Sequence, residues 1–464
     1  MSEPLRRVLI VSPHFPPVNA PDMQRVRMSL PYYRAAGWEA VVLCVNERWQ
    51  DGTREPALLE TVPADVRVVG CRALSLGWTR RLGLRNLGLR TWPYLLVAGA
   101  RLLRRERFDL VFFSNTQFIT FTLGRIWRWW FGVPYVLDVQ DPWRTDYYER
   151  PGSRPPPGGW KYKNARFIAW LLEGWSFARA AGVMSVSPGY IDDLRARHSA
   201  LKHMPSAVIR FGASAADLAV ALRSPAAARF ARAGGEVHFV YTGASGPVMP
   251  HALTVLFDAV RQFRGRNPAR GNRLRFHFLG TSYVAPGQGT ATVLPLAERC
   301  GVADLVTEVP HRLGHLECLR LQHEADVLLL PGSSDTAYSP SKTYPYFLSG
   351  RPILGLVFRD SVLERLLRDL GGAWIAAFSE REDRAACLCR TADRPVPHGR
   401  QATQASLHQA FDLALDGRLA AALPPRQETS FRALFLAESL TGEQCRLFAC
   451  SLAAPGAMLS DDRA

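Results

Sequence analysis

Lys342 stands in the stretch SPSKTYPYFLSGRPILGL, at the mouth of a short helical pattern. A cation there opposes the positive end of the helix dipole, at about 0.3–1 kcal/mol. The placement makes sense if the lysine meets an anion. A lysine beside free backbone N–H groups is a diphosphate clamp. The competing reading is a surface lysine whose stem lies along apolar neighbours. Ser339 or Ser341 could cap the helix. Pro345 falls in the first turn, where proline is tolerated, and Gly350 ends the pattern.

Three other stretches hold residue types suited to chemistry. YTGASG (241–246) puts glycine after a strand and offers the hydroxyls of Thr242 and Ser245. A phosphate needs close backbone approach, which Gly243 and Gly246 allow, and a helix begins just beyond. The loop HFPPVNAPDMQR (14–25) follows a buried strand and holds the small pair Asn19 and Ala20, but no glycine. It reads equally as a phosphate-binding loop and as a proline-stiffened connector. VPYVLDVQDPW (133–143) carries Asp138 inside an apolar run and Asp141 just past it. A carboxylate at a strand's carboxyl end can bind sugar hydroxyls or handle a proton. It can equally be a turn aspartate.

The elements that position these residues read as two series of buried strands. In the first, VLIVS (8–12), AVVLCV (40–45), VRVVGC (66–71), DLVFFSN (109–115), PYVLDVQD (134–141), GVMSVS (182–187) and AVIRFGAS (207–214) alternate with helical stretches, one of them over 25–37. The second runs EVHFVYTG (236–243), RLRFHFLG (273–280), LVTEVP (305–310), ADVLLLP (325–331) and RPILGLV (351–357). Continuous apolar runs are what parallel strands covered on both faces require. The expectation is an α/β protein of two doubly wound, Rossmann-like domains facing a cleft, with ligands at the strands' carboxyl ends. Its parts are an N-terminal domain over 1–215, a C-terminal domain over 216–427, and a helix and tail over 428–464 that crosses back.

With 464 residues the chain can bury two cores. A net charge of +16 suits an anionic partner, though arginine-rich coding gives the same balance. The eight cysteines form no CxxC pair, so neither a zinc site nor a disulfide framework is expected. The first apolar run fits a strand and is too short for a signal peptide's core. Residues 78–107 carry eight arginines and one glutamate among Leu and Trp, and RIWRWWFG (125–132) repeats the theme. Such stretches can lie on an anionic membrane; the other reading is an arginine-rich helix packed on a sheet. Nucleic acid is a rival partner, but no nucleic-acid module is visible.

These motifs, in this order, resemble family 4-type glycosyltransferases of the GT-B fold over nearly the whole chain: HFPPVNAPDMQRV, VPYVLDVQDPW, VSPGYIDDL, VIRFGAS, FVYTGASG, ADVLLLP and SPSKTYPYFLSGRPILGL. The resemblance implies transfer of a sugar from a nucleotide-sugar donor, with retention and without a metal or cofactor. The acceptor would be a saccharide or a lipid-linked sugar in cell-envelope or exopolysaccharide synthesis. By position, Gly243, Thr242 and Ser245 resemble the donor-diphosphate loop, with Ser341 and Lys342 beside it. His311 falls in the segment bordering the base. Asn19 and Ala20 fall where a glycine pair meets the reacting sugar, and Gln140 and Asp141 where many members carry a His-Asp pair. The family's paired glutamates fall at Ala337 and Pro345, neither of them acidic. A catalytically degenerate binding or scaffold subunit is therefore the alternative, and an epimerase of the same fold a third. The expected location is cytoplasmic, with peripheral contact at the inner membrane face left open.

Overall fold

The computed structural model describes residues 4–82, 85–144, 159–223, 229–230, 234–245, 249–282, 284, 287–333, 340–379 and 398–453. These divide into two compact units: 1–212 joined by 435–464, and 213–434.

The first unit is built on a seven-stranded parallel sheet of order β3-β2-β1-β4-β5-β6-β7. Its strands are β1 (Arg6–Val11), β2 (Trp38–Val45), β3 (Arg67–Cys71), β4 (Leu110–Ser114), β5 (Tyr135–Val139), β6 (Gly182–Ser185) and β7 (Ser206–Val208). Successive side chains of a strand face opposite ways. Val8 and Ile10 therefore enter one core with Tyr33, Trp38 and Phe112, while Leu9 and Val11 enter another with Phe113 and Trp127. Phe448, from the Ala437–Ala453 helix, closes the first of these cores. Its ring stacks on Tyr33 and meets Trp38 and Phe112 edge-on, at 6.4, 5.3 and 5.0 Å. Fully burying such a ring stabilises by about 1.5–3 kcal/mol.

The second unit has a six-stranded parallel sheet of order β10-β9-β8-β11-β12-β13. Its strands are β8 (Val237–Thr242), β9 (Leu274–Leu279), β10 (Val306–Val309), β11 (Val327–Pro331), β12 (Ile353–Phe358) and β13 (Ala373–Phe378). Phe239, Tyr241 and Phe278 face a core shared with the Pro250–Arg266 helix. Val240, Leu328, Leu330 and Tyr346 face the other side. In each sheet the strand order reverses once, between β1 and β4 and between β8 and β11. A ligand crevice opens outside the carboxyl ends of the strands at such a switch point.

Four local expectations need correction. The expected helix over 25–37 is one α-helical stretch, Gln24–Ser29, that tightens into a 3₁₀ turn over Leu30–Tyr32. Pro31 lacks the N–H that would continue it. The C-terminal pattern is two helices, Glu428–Phe435 and Ala437–Ala453, which fall in different units. Strand β13 went unread, because AWIAAF is alanine-rich and follows two glycines. No serine caps the Thr343–Leu348 helix: Lys342 itself is the N-cap residue, with no side-chain cap bond.

Candidate functional site

At the switch point of the second sheet, β8 runs out into Gly243, whose φ of +119° is open to glycine and strained for other residues. A Cβ there would come within 3.0 Å of the Lys342 Nζ. The lysine arrives from the segment after β11, so two neighbouring strands bring the pair together. Its ammonium lies 4.0 Å from the centre of the Tyr241 ring and donates to the Tyr241 hydroxyl. That hydroxyl donates in turn to the carbonyl of Ala244, at 2.7 Å. Tyr241 thus holds the lysine end against the glycine turn. No carboxylate pairs with Lys342 among the described residues. Burial pulls its amine down to about 7.

The other donor-side candidates are placed as follows. Thr242 is buried, its N–H donating to the Tyr346 hydroxyl at 2.8 Å and its Oγ1 accepting from Gln322 at 2.8 Å. It therefore fixes the strand end. Ser245 donates its backbone N–H to the Thr281 carbonyl at 2.9 Å, and Ser341 is exposed. His311 joins the cradle through its backbone: a Cβ on Gly280 would sit 3.8 Å from both the His311 carbonyl oxygen and the Gly243 nitrogen. Gly243, Lys342, Tyr241, Gly280 and His311 thus meet at one edge. Gly246, Ser339 and Ala337 lie outside the described residues.

At the switch point of the first sheet, the loop after β1 carries His14, Asn19, Ala20 and Asp22, and the loop after β4 carries Thr116. Asn19 is buried, donating to Glu55 at 2.9 Å and accepting from Gln24 at 3.1 Å. Ala20 is buried beside it and leads into the Pro21–Met23 turn. Gln140 is also buried: its amide donates to the Asp22 carbonyl, to Ser114 Oγ and to Asp138 Oδ2, at 3.0–3.2 Å. Its visible work is to tie the loop after β1 and the end of β4 to β5. Asp141 is exposed, and its carboxyl is raised by the protein around it and by the charge of Asp22. Beside Pro142 a small hollow is lined by Phe118, Phe121, Trp143 and Tyr190, with Phe118 and Trp143 stacked on each other at 5.7 Å.

Two features of this edge were not read from the sequence. Asp138 sits fully buried with Arg25 Nε at 2.9 Å, and Arg25 also donates to the Ile209 carbonyl at 2.7 Å. His14 Nδ1 meets Asp22 Oδ1 at 2.9 Å. The signal for the second was a histidine one turn past β1, eight residues before an aspartate in the same loop. Burial opposes ionisation of Asp22, but His14 and the Thr116 donors outweigh it and hold the carboxyl below its usual range.

Comparison with known proteins gives three kinds of result. Residues 24–212 match the family model of the glycosyl transferase 4-like domain. No curated protein matches by sequence. Among solved structures the chain is similar to Anabaena Alr3699/HepE in complex with UDP and glucose, at 13 % identity and a TM-score of 0.54, covering 96 % of this chain and 99 % of that one. It is similar to an α,α-trehalose-phosphate synthase (UDP-forming) from Burkholderia xenovorans in complex with glucose-6-phosphate, at 11 % identity, a TM-score of 0.54 and coverage of 96 % and 100 %. It is also similar to the N-terminal domain of Candida albicans trehalose-6-phosphate phosphatase, at 10 % identity, a TM-score of 0.56 and coverage of 96 % and 97 %. These likenesses establish the fold: two α/β units with parallel sheets, as in GT-B glycosyltransferases.

Proposed function

Taking the glycosyl transferase 4-like match over residues 24–212 as premise, we propose that this protein is a glycosyltransferase that uses a nucleoside-diphosphate sugar. The observation that carries the reading is Lys342: a partly buried cation with no acidic partner among the described residues, held by Tyr241 against a glycine turn at a strand switch point. Removing a cation from water without an anion is costly. A diphosphate supplies that anion and, as it departs, the charge Lys342 offsets. Gly243 leaves room for the phosphates beside Lys342, Ser245 is held in the same turn by the Thr281 carbonyl, Thr242 and Ser341 flank the site, and His311 borders the base. On the acceptor side Asp141 orients sugar hydroxyls, Gln140 positions the loops, and the Asn19–Ala20 turn lies at the reacting sugar. Retention follows from the resemblance, as does a metal-independent reaction without a cofactor.

The test is thermal unfolding in the presence of UDP, GDP, ADP and their glucose conjugates. Binding to the folded state at a hundred times Kd stabilises by about 2.7 kcal/mol. One base should raise the melting temperature clearly. If none does, the chain is the non-catalytic relative, with Pro345 standing where the family carries an acid.

The acceptor is inferred to be a saccharide or a lipid-linked sugar of the cell envelope, met at the cytoplasmic face of an anionic membrane. Support comes from exposed aromatics on two adjacent helices, Thr122–Phe131 and Trp160–Phe177: Trp129 is 82 % exposed, and Phe167, Ile168, Trp170 and Leu171 are all above 50 %. Arg125 and Arg128 lie partly buried on the same helix, donating to the carbonyls of Trp175 and Arg179 at 2.8 and 2.6 Å. Among the described residues, no helix is long and apolar enough to cross a membrane. Trp129→Ala with Trp170→Ala should reduce co-sedimentation with phosphatidylglycerol vesicles about tenfold, leaving phosphatidylcholine vesicles unbound throughout. Unchanged sedimentation removes the membrane from the proposal.

A further inference from the structure

Lys342 comes from the segment after β11 and Ala244 from the turn after β8, and one buried hydroxyl joins them. The Tyr241 hydroxyl gives its proton to the Ala244 carbonyl at 2.7 Å, with Met249 Sδ farther off at 3.4 Å. Its lone pairs therefore face the Lys342 ammonium, which donates to it. The peptide between Ala244 and Ser245 is itself fixed, because the Ser245 N–H donates to the Thr281 carbonyl at 2.9 Å. The hydroxyl thus has a rigid anchor on one side and the lysine on the other. The ring adds a second hold, its centre 4.0 Å from the ammonium, which lies over the face. Lysine's stem is flexible, and a phosphate that has to order it binds more weakly.

We propose that Tyr241 is a positioning residue of the donor site, aiming the Lys342 ammonium at the diphosphate before any ligand arrives. This rests on the glycosyltransferase reading above. The ligand then gains a charge-assisted contact without ordering the side chain that makes it. Tyr241 also bears on the lysine's charge. Burial pulls the amine down to about 7, and the charge of Cys318, on the His315–Glu324 helix, opposes it. The ring and hydroxyl of Tyr241 add to that opposition, because both favour the ammonium over the neutral amine. Position and protonation of the lysine are therefore set by one neighbour, and Tyr241→Phe separates the hydroxyl's share from the ring's.

The test is a cycle of four proteins: wild type, Tyr241→Phe, Lys342→Met and the double variant. Each is titrated calorimetrically with UDP-, GDP- and ADP-glucose. Tyr241→Phe should weaken binding of the preferred donor about tenfold, as for a lost hydrogen bond to a charged group. With Lys342→Met already present, the same change should cost no more than about threefold, since no ammonium is left to aim. Comparable losses in the two backgrounds overturn the proposal, because Tyr241 then supports the turn and not the lysine. Wild-type affinity in Tyr241→Phe overturns it as well. The pH profile gives a second reading. Without the hydroxyl the lysine gives up its proton at lower pH, so the variant's affinity should start to fall at lower pH than the wild type's; coincident profiles count against the proposal. A third measurement needs no ligand. The chain has four lysines, so ¹³C-lysine NMR resolves Lys342, assigned by its loss in Lys342→Met. Its titration should move to lower pH in Tyr241→Phe, and an unmoved titration overturns the contact. A wild type that binds none of the three donors counts against the glycosyltransferase reading instead, and the lysine titration still decides whether Tyr241 holds Lys342.

Discussion

Lys342→Met is expected to weaken nucleoside-diphosphate binding 10- to 100-fold while the ligand-free protein melts no lower than wild type at pH 7. The first half follows from losing a charge-assisted contact to phosphate, worth about 1.5–3 kcal/mol. The second follows from burial, which pulls the lysine down to about 7 from its ordinary value. An ammonium disfavoured where it sits contributes nothing favourable to the empty fold. The sign with pH runs accordingly. Between pH 7 and about 10.4 the unfolded chain binds the lysine's proton and the folded chain does not, so this group adds relative stability as pH rises. The methionine variant should lack that rise. Bound diphosphate reverses the preference, so binding above pH 7 takes up a proton. Wild-type affinity should therefore fall between pH 7 and 9 more steeply than the variant's. Isothermal titration in buffers of different ionisation enthalpy counts that proton. Equal affinity and equal pH slope in the two proteins remove Lys342 from the donor site.

Arg25→Met should destabilise the first unit by about 3–5 kcal/mol, because it leaves Asp138 buried as an uncompensated charge. For a unit of this size that is a fall of roughly 10 °C in melting temperature. The arginine also stacks over Phe211 at 5.3 Å and ties the Gln24–Ser29 helix to the chain leaving β7 through Ile209. Burial raises the Asp138 carboxyl, against the pull of Arg25, Ser114 and Gln140. Without Arg25 that opposition weakens, and the Asp138 carboxyl should rise further. Arg25→Met combined with Asp138→Asn should recover much of the loss, since both charges are then gone. A double variant as unstable as the sum of the singles would show that the two residues do not act as a pair.

How much of this was legible depended on how local each signal is. The buried strands declared themselves through runs such as VLIVS and ADVLLLP, because a parallel strand covered on both faces admits little else. β13 escaped because alanine-rich runs favour no periodicity. Gly243 and Lys342 could be named from turn chemistry and an ill-placed charge. The structure adds what no spacing could show: Tyr241 holds the lysine through ring and hydroxyl together. The first unit's edge was harder. Asp138 looked like a carboxylate available for chemistry until Arg25, more than a hundred residues away, proved to neutralise it. His14 gives no local signal, because its contact with Asp22 depends on Asp22 being held from beyond β4 by Thr116, a relation the chain does not spell out.

The placement of the Ala437–Ala453 helix has a consequence for how the protein is made. The first unit needs Phe448 over Tyr33, Trp38 and Phe112, and those three belong to the opening quarter of the chain. A ribosome adding about 5–20 residues per second needs roughly 10–50 seconds to travel from the end of the first stretch, at Gly212, to that helix. Throughout that interval the second unit can emerge and fold whole, while the first presents an aromatic sheet face with no cover. The nascent chain is thus obliged to shelter its oldest part until its newest arrives. A chain interrupted after the second unit would leave that face permanently bare, a surface for chaperones and proteases.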